Sequence, residues 1–175
     1  TGMTVQTLDG DGADYNACPG FATGAIGNVV VSPSFFITDS ARLVGTVVTG
    51  AVLKFTTSAG GQLLYSATAA DNGKITLNYP SGFFDTAATP VPTVAITGTA
   101  LVTATCGAPG ATSLVISLSS GSSAIPASTA VTITFSANLK LGASATAGSS
   151  TGMTVQTLDG DGADYNACPG FATGA

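Results

Sequence analysis

The chain has 175 residues, only 7% of them charged, and a formal net charge of −5. It contains no His, no Trp and no Glu, so all nine acidic residues are Asp. A His-based triad, a His zinc centre and a Glu acid–base pair are therefore excluded, and the sign of the charge is wrong for nucleic acid.

In chain order the first feature is a repeat. Residues 1–25 read TGMTVQTLDGDGADYNACPGFATGA, and residues 151–175 read the same. The offset is 150 residues (151 − 1), so the chain holds one period and the first 25 residues of the next. Solenoid repeats run to about 20–50 residues. A period this long is the size of a globular domain, which predicts beads on a string. Tandem duplication, or a symmetric polymer read with overlap, accounts for the identity. The predicted organisation is a connector at 1–25 that ends the preceding repeat, a domain at 26–158, and an inter-repeat connector at 159–175. One period carries six Asp against four Lys or Arg, a net charge of −2 (4 − 6). So weak a charge on a surface rich in hydroxyls invites association with copies of the chain.

Within the repeated segment, Asp9, Asp11 and Asp14 stand among glycines, and recur as Asp159, Asp161 and Asp164. Closely spaced Asp with Gly can supply oxygen ligands to Ca²⁺, although the bidentate Glu and full length of an EF-hand loop are lacking. An ordinary Asp-Gly turn is the competing reading. Cys18 and Cys168 are one repeat position and Cys106 is the other, so each period has two cysteines, as in oxidised extracellular proteins. Cys106 can pair with Cys18 or with Cys168, closing 88 (106 − 18) or 62 (168 − 106) residues. Either bridge is worth roughly 4 kcal/mol through chain entropy. Two buried free thiols are the alternative.

From Val29 onward apolar residues alternate with polar ones, the pattern of strands with one buried face. The predicted strands contain Val29 to Val31 with Phe35 to Ile37, then Leu53 and Phe55, and then Ile75, Leu77 and Tyr79. They continue with Val94 and Ile96, then Leu114, Ile116 and Leu118, then an uninterrupted run from Val131 to Leu141, and finally Met153 and Val155. Cys106 shares parity with Val102 and Ala104, which turns it inward. Turn chemistry separates these runs at 59–61, 71–73, 80–82, 107–110 and 119–123. Pro33, Pro80, Pro90, Pro92 and Pro126 fall at strand ends or edges. About eight strands per period, with no stretch suited to a long helix, predict an all-β sandwich or barrel.

The phrases Gly73-Lys-Ile-Thr-Leu-Asn-Tyr-Pro-Ser-Gly-Phe-Phe84, Ala88-Thr-Pro-Val-Pro-Thr-Val-Ala-Ile-Thr97 and Ile125-Pro-Ala-Ser-Thr-Ala-Val-Thr-Ile-Thr-Phe135 resemble the immunoglobulin-like repeats of large extracellular proteins of microbes and algae. The resemblance spans residues 43–158 and implies a β-sandwich with a surface or fibre role. It implies no catalytic residue. The buried Trp and Cys-pair spacing of antibody domains are missing.

Thr89-Pro-Val-Pro-Thr93 and residues 119–129 have the Ser, Thr and Pro content of O-glycosylated stalks, with Thr89, Thr93, Ser122 and Ser123 as candidate acceptors. Bare polar turns are the alternative. No Asn-x-Ser/Thr acceptor is present, and no apolar run has the about 18 residues that a membrane helix needs. These observations predict a non-enzymatic, structural subunit of an extracellular or cell-surface filament whose partners are copies of itself. The assembly strand is placed at Met153, Val155 and Leu158, added to the sheet of an adjoining bead. An adhesin stalk that spaces a distal tip is the second reading. A carbohydrate-binding module is the third, with only Tyr65 and Tyr79 as aromatic candidates outside the repeated segment.

Overall fold

The computed structural model describes residues 6–8, 14–17, 30–57, 62–63, 65, 72–98, 102–121, 124–144, 152–158 and 164–167. Its strands are β1 (Gln6–Leu8), β2 (Asp14–Ala17), β3 (Val31–Phe36), β4 (Val47–Val48), β5 (Ala51–Thr56), β6 (Lys74–Asn78), β7 (Thr93–Thr97), β8 (Val102–Cys106), β9 (Ser113–Gly121), β10 (Ala130–Ala137), β11 (Leu139–Lys140), β12 (Thr154–Leu158) and β13 (Asp164–Ala167). A single 3-10 turn at Asp39–Ala41 is the one helical element among the described residues. The chain is all-β, as its alternation predicts.

Two sheets dominate, one ordered β3-β5-β10-β7 and the other β13-β12-β6-β9-β8. Every pairing is antiparallel. Alternate residues bury one face of each sheet. From the first sheet come Leu53, Phe55, Ile133 and Phe135; from the second, Ile75, Leu77, Leu114, Ile116 and Val155. All of them belong to one hydrophobic cluster, so the two inward faces share a single core. Each fully buried side chain of this size stabilises the fold by about 1.5–3 kcal/mol.

One end of the core is aromatic. Phe35 meets Phe84 and Phe135 edge to face at 6.0 and 6.1 Å, and Phe84 meets Tyr79 at 4.7 Å and Phe83 at 4.8 Å. The Pro80–Gly82 turn thus folds a strand end from the second sheet back over β3 and β10 of the first. Phe84 forms an isolated bridge to Leu141, and Asp85 takes the Lys140 ammonium at 2.7 Å. That hydrogen bond, with a second from the Ala87 amide, holds the Asp85 carboxyl below its usual range. Gly142 has to be glycine here, since a methyl group on it would overlap the Gly82 carbonyl oxygen.

Two details depart from the sequence expectations. The run from Val131 to Leu141 is two strands. Asn138 adopts φ +63°, so β10 ends in the first sheet while Leu139 and Lys140 pair with Val48 and Val47. Asn tolerates this left-handed conformation better than most residues. Residues 119–121, expected as turn, extend β9, where Ser120 and Gly121 pair with Thr103 and Val102. As the sequence predicts, Val31, Phe35 and Phe36 fall in one opening strand, the edge strand β3. Ser32 at φ +52° and Pro33 break its register between Val31 and Ser34, a device that blunts an exposed edge.

Truncation of Phe135 to Ala is expected to cost about 3–5 kcal/mol. Gly142→Ala is expected to cost about 1–3 kcal/mol, because backbone must move to admit the methyl. Urea unfolding monitored by far-ultraviolet dichroism checks both, and a midpoint unchanged in either variant contradicts this packing.

Candidate functional site

Of the residues singled out for assembly, Val155 and Leu158 lie on β12 and Met153 immediately precedes it. β12 pairs with β6 in continuous register, from Thr154 opposite Asn78 through Val155 opposite Leu77, Gln156 opposite Thr76 and Thr157 opposite Ile75 to Leu158 opposite Lys74. Alternation sorts its side chains. Met153, Val155 and Thr157 are buried, with Met153 and Val155 fully so, and both join the common core. Thr154 faces the other way, and its hydroxyl accepts a hydrogen bond of 3.0 Å from Asn78 Nδ2. The described part of Leu158 is its backbone position at the end of the strand. β12 therefore completes a sheet whose strands β6, β8 and β9 precede it in its own chain. It supplies ladder hydrogen bonds on one side and two apolar side chains beneath.

The other side of β12 carries β13, with Gln156 opposite Ala167 and Leu158 opposite Asp164. The first copy makes the same hairpin, with Gln6 opposite Ala17 and Leu8 opposite Asp14. All four positions differ by 150, so the register is identical (156 − 6, 167 − 17, 158 − 8, 164 − 14). The partners are not identical. Among the described residues β1 pairs with β2 alone, whereas β12 lies between β13 and β6.

Asp14 and Asp164 begin β2 and β13. Asp9, Asp11, Asp159 and Asp161, the remainder of the acidic cluster, lie outside the described residues. Of the glycan candidates, Thr89 is exposed, and it lines a shallow depression of about 220 Å³ with Val47, Pro90, Asn138 and Lys140. Thr93 is exposed at the start of β7, with its hydroxyl 2.9 Å from that of Ser136. Ser122 and Ser123 lie outside the described residues.

Cys106 is a free, buried thiol, and Cys18 and Cys168 lie outside the described residues. Its inward orientation follows the parity with Val102, which is also buried. Cys106 ends β8, and Ala167, the residue before Cys168, ends β13. These strands are the opposite edges of the five-stranded sheet. Burial pushes the Cys106 thiol up from 9.0 to about 12. Tyr79 is raised from 10.0 to about 12, mainly by burial and then by Cys106 nearby. The Tyr79 hydroxyl lies 2.9 Å from the Gly110 carbonyl and 2.8 Å from that of Ser113. This buried, bonded tyrosine is a core residue and offers no platform for sugar.

β6 as the receiver of β12 was not foreseeable from the sequence. Its alternation marks a strand, but no local signal names a neighbour. The chain matches no protein-family model, no curated protein and no solved structure.

Alkylation of Cys106 is expected to be negligible in the native protein at neutral pH and complete in urea. A disulfide-linked peptide containing Cys106 in a non-reducing digest would contradict the free thiol. The same two groups set an alkaline limit. Both are raised in the fold, so their contribution is full below the unfolded values near 9.0 and 10.0 and is lost as pH climbs toward 12. Urea midpoints should therefore fall from about pH 9 upward, and Tyr79→Phe with Cys106→Ala should flatten that fall.

Proposed function

We propose that the chain is a structural repeat of an extracellular filament, built from immunoglobulin-like β-sandwich beads that associate with copies of themselves. The observation that carries this reading is the exact recurrence of residues 1–25 at 151–175, together with the place of the second copy as a strand of the bead's own sheet. A segment that both closes one bead and recurs at a period of 150 residues suits a chain of linked beads.

The strand order supports the immunoglobulin-like assignment. Constant-type domains place strands A-B-E-D in one sheet and G-F-C in the other. Here β3-β5-β10-β7 follows the first order, and β13-β12-β6 follows the second, with strands used in the matching sequence order. The departure is the β8–β9 pair, which lies beside β6 and enters the chain between the D-like and E-like strands.

The surface supports self-association. Charges are few, and Val31, Phe36, Leu43, Val44 and Val47, all within one short stretch, are each more than half exposed. Apolar side chains concentrated in this way favour packing against another protein surface. An extracellular setting fits the hydroxyl-rich, charge-poor composition. No described helix is long and apolar enough to cross a membrane.

Negative-stain electron microscopy of the native assembly tests the reading. Laterally ordered fibres with a regular axial repeat are the expected result. Flexible, unassociated threads would favour a stalk that only spaces a distal tip.

A further inference from the structure

The end of the sandwich that holds the aromatic cluster also carries a group of exposed aliphatic side chains. Leu43, Val44 and Val47 are each more than half exposed, and Val91 is 44% exposed. Backbone contacts hold them together. The Thr46 amide donates to the Leu43 carbonyl at 3.2 Å, Val47 pairs with Lys140, and Asn138 Nδ2 donates to the Val91 carbonyl at 3.4 Å. Between the 43–47 turn and the 87–91 loop lies the depression of about 220 Å³, lined by Val47, Ala88, Pro90 and Asn138 among others. Charges at this end are already matched, Lys140 by Asp85 at 2.7 Å and Arg42 by Asp39 at 3.6 Å. We propose that this face, formed by Leu43, Val44, Val47 and Val91, is the surface that the next copy of the domain along the chain covers. The proposal rests on the filament reading and names the contact by which successive copies pack end to end.

The path of the chain names the occupant. Leu158 lies opposite Asp164 and Gln156 opposite Ala167, so β13 runs back along β12 toward the end at which Thr154 pairs with Asn78. There β6 gives way to Tyr79 and the Phe83–Phe84 turn, and Phe84 meets Leu141. β13 therefore points toward the end that carries the exposed face. After the first copy of the hairpin, 13 residues separate Ala17 from Val31, where β3 begins (31 − 17 − 1). At about 3.3–3.6 Å per residue such a connector spans at most about 45 Å, which keeps the following domain beside this face. That domain is entered at Val31, which pairs with Thr56 and so lies at the end away from Phe36 and the aromatic cluster. Val31 is itself more than half exposed. The packing is thus head to tail, two different surfaces in contact, which propagates as an open row. Four aliphatic side chains fall short of the about 800 Å² per partner that a stable interface buries. Between separate molecules the contact is weak, and the connector strengthens it through an effective concentration of about a millimolar.

The full chain tests this between separate molecules, by analytical ultracentrifugation at concentrations rising to about a millimolar. The parent chain is expected to gain apparent mass with concentration. Leu43→Glu with Val47→Glu should remove that rise. Both residues are exposed, so the variant should keep the parent's urea midpoint, which separates a lost contact from a lost fold. Val91→Glu, across the depression, should weaken association in the same direction without touching the 43–47 turn. Because the contact is head to tail, the double variant still offers the surface that meets the face. Fluorescently labelled double variant should therefore bind excess parent chain while failing to bind itself. A parent that stays monomeric, association that neither variant lowers, or a double variant that ignores the parent overturns the proposal. Ordered fibres in the native assembly alongside any of these failures would leave the filament reading standing and remove only this contact.

Discussion

The pairing of β12 with β6 is the constraint on which the rest of the fold depends. Without it the five-stranded sheet would present β6 as a bare edge, with the core above Leu77 and Ile75 open to water. β12 closes that gap with backbone hydrogen bonds and with Met153 and Val155, which have no exposed surface. The net value of each ladder hydrogen bond is modest, about 1 kcal/mol. The two buried side chains therefore make the pairing strong, while the ladder fixes its register. A one-residue slip would turn Thr154 and Gln156 inward and expose both apolar groups.

The duplicated sequence separates what is local from what is tertiary. Both copies pair with the same offset opposite Leu8 and Leu158, so this register is encoded locally. Whether the hairpin becomes an integral part of a sheet depends on a strand nearly 80 residues away in sequence, since Asn78 pairs with Thr154. β-strands commonly behave this way, because their stability comes from neighbours and burial more than from intrinsic preference.

The same division explains how much could be read from the sequence. Strands with strict alternation over a fully buried face, such as Ile75 to Tyr79, Leu114 to Leu118 and Val131 to Phe135, were legible residue by residue. The inward direction of Cys106 followed from parity alone. The break at Asn138 was hidden, because alternation continues across it and only the backbone angle reveals the change of sheet. β4 and β11, two residues each, are too short to show a period. β13, with the sequence DYNA, has no apolar alternation at all and is a strand only because β12 lies beside it. The candidate site was legible in part. Met153 and Val155 could be marked as belonging to a strand, but their partner β6, and its place in the same chain, required the fold.

The most direct measurement of the central pairing is residue-resolved amide exchange by nuclear magnetic resonance on the dilute, monomeric chain. Residues 154–158 and 4–8 are chemically identical, so any difference between them reports tertiary pairing alone. Protection of Val155 and Thr157 close to the global unfolding limit, with far faster exchange at Thr7, is the predicted result. Equal exchange rates in the two copies would contradict the account.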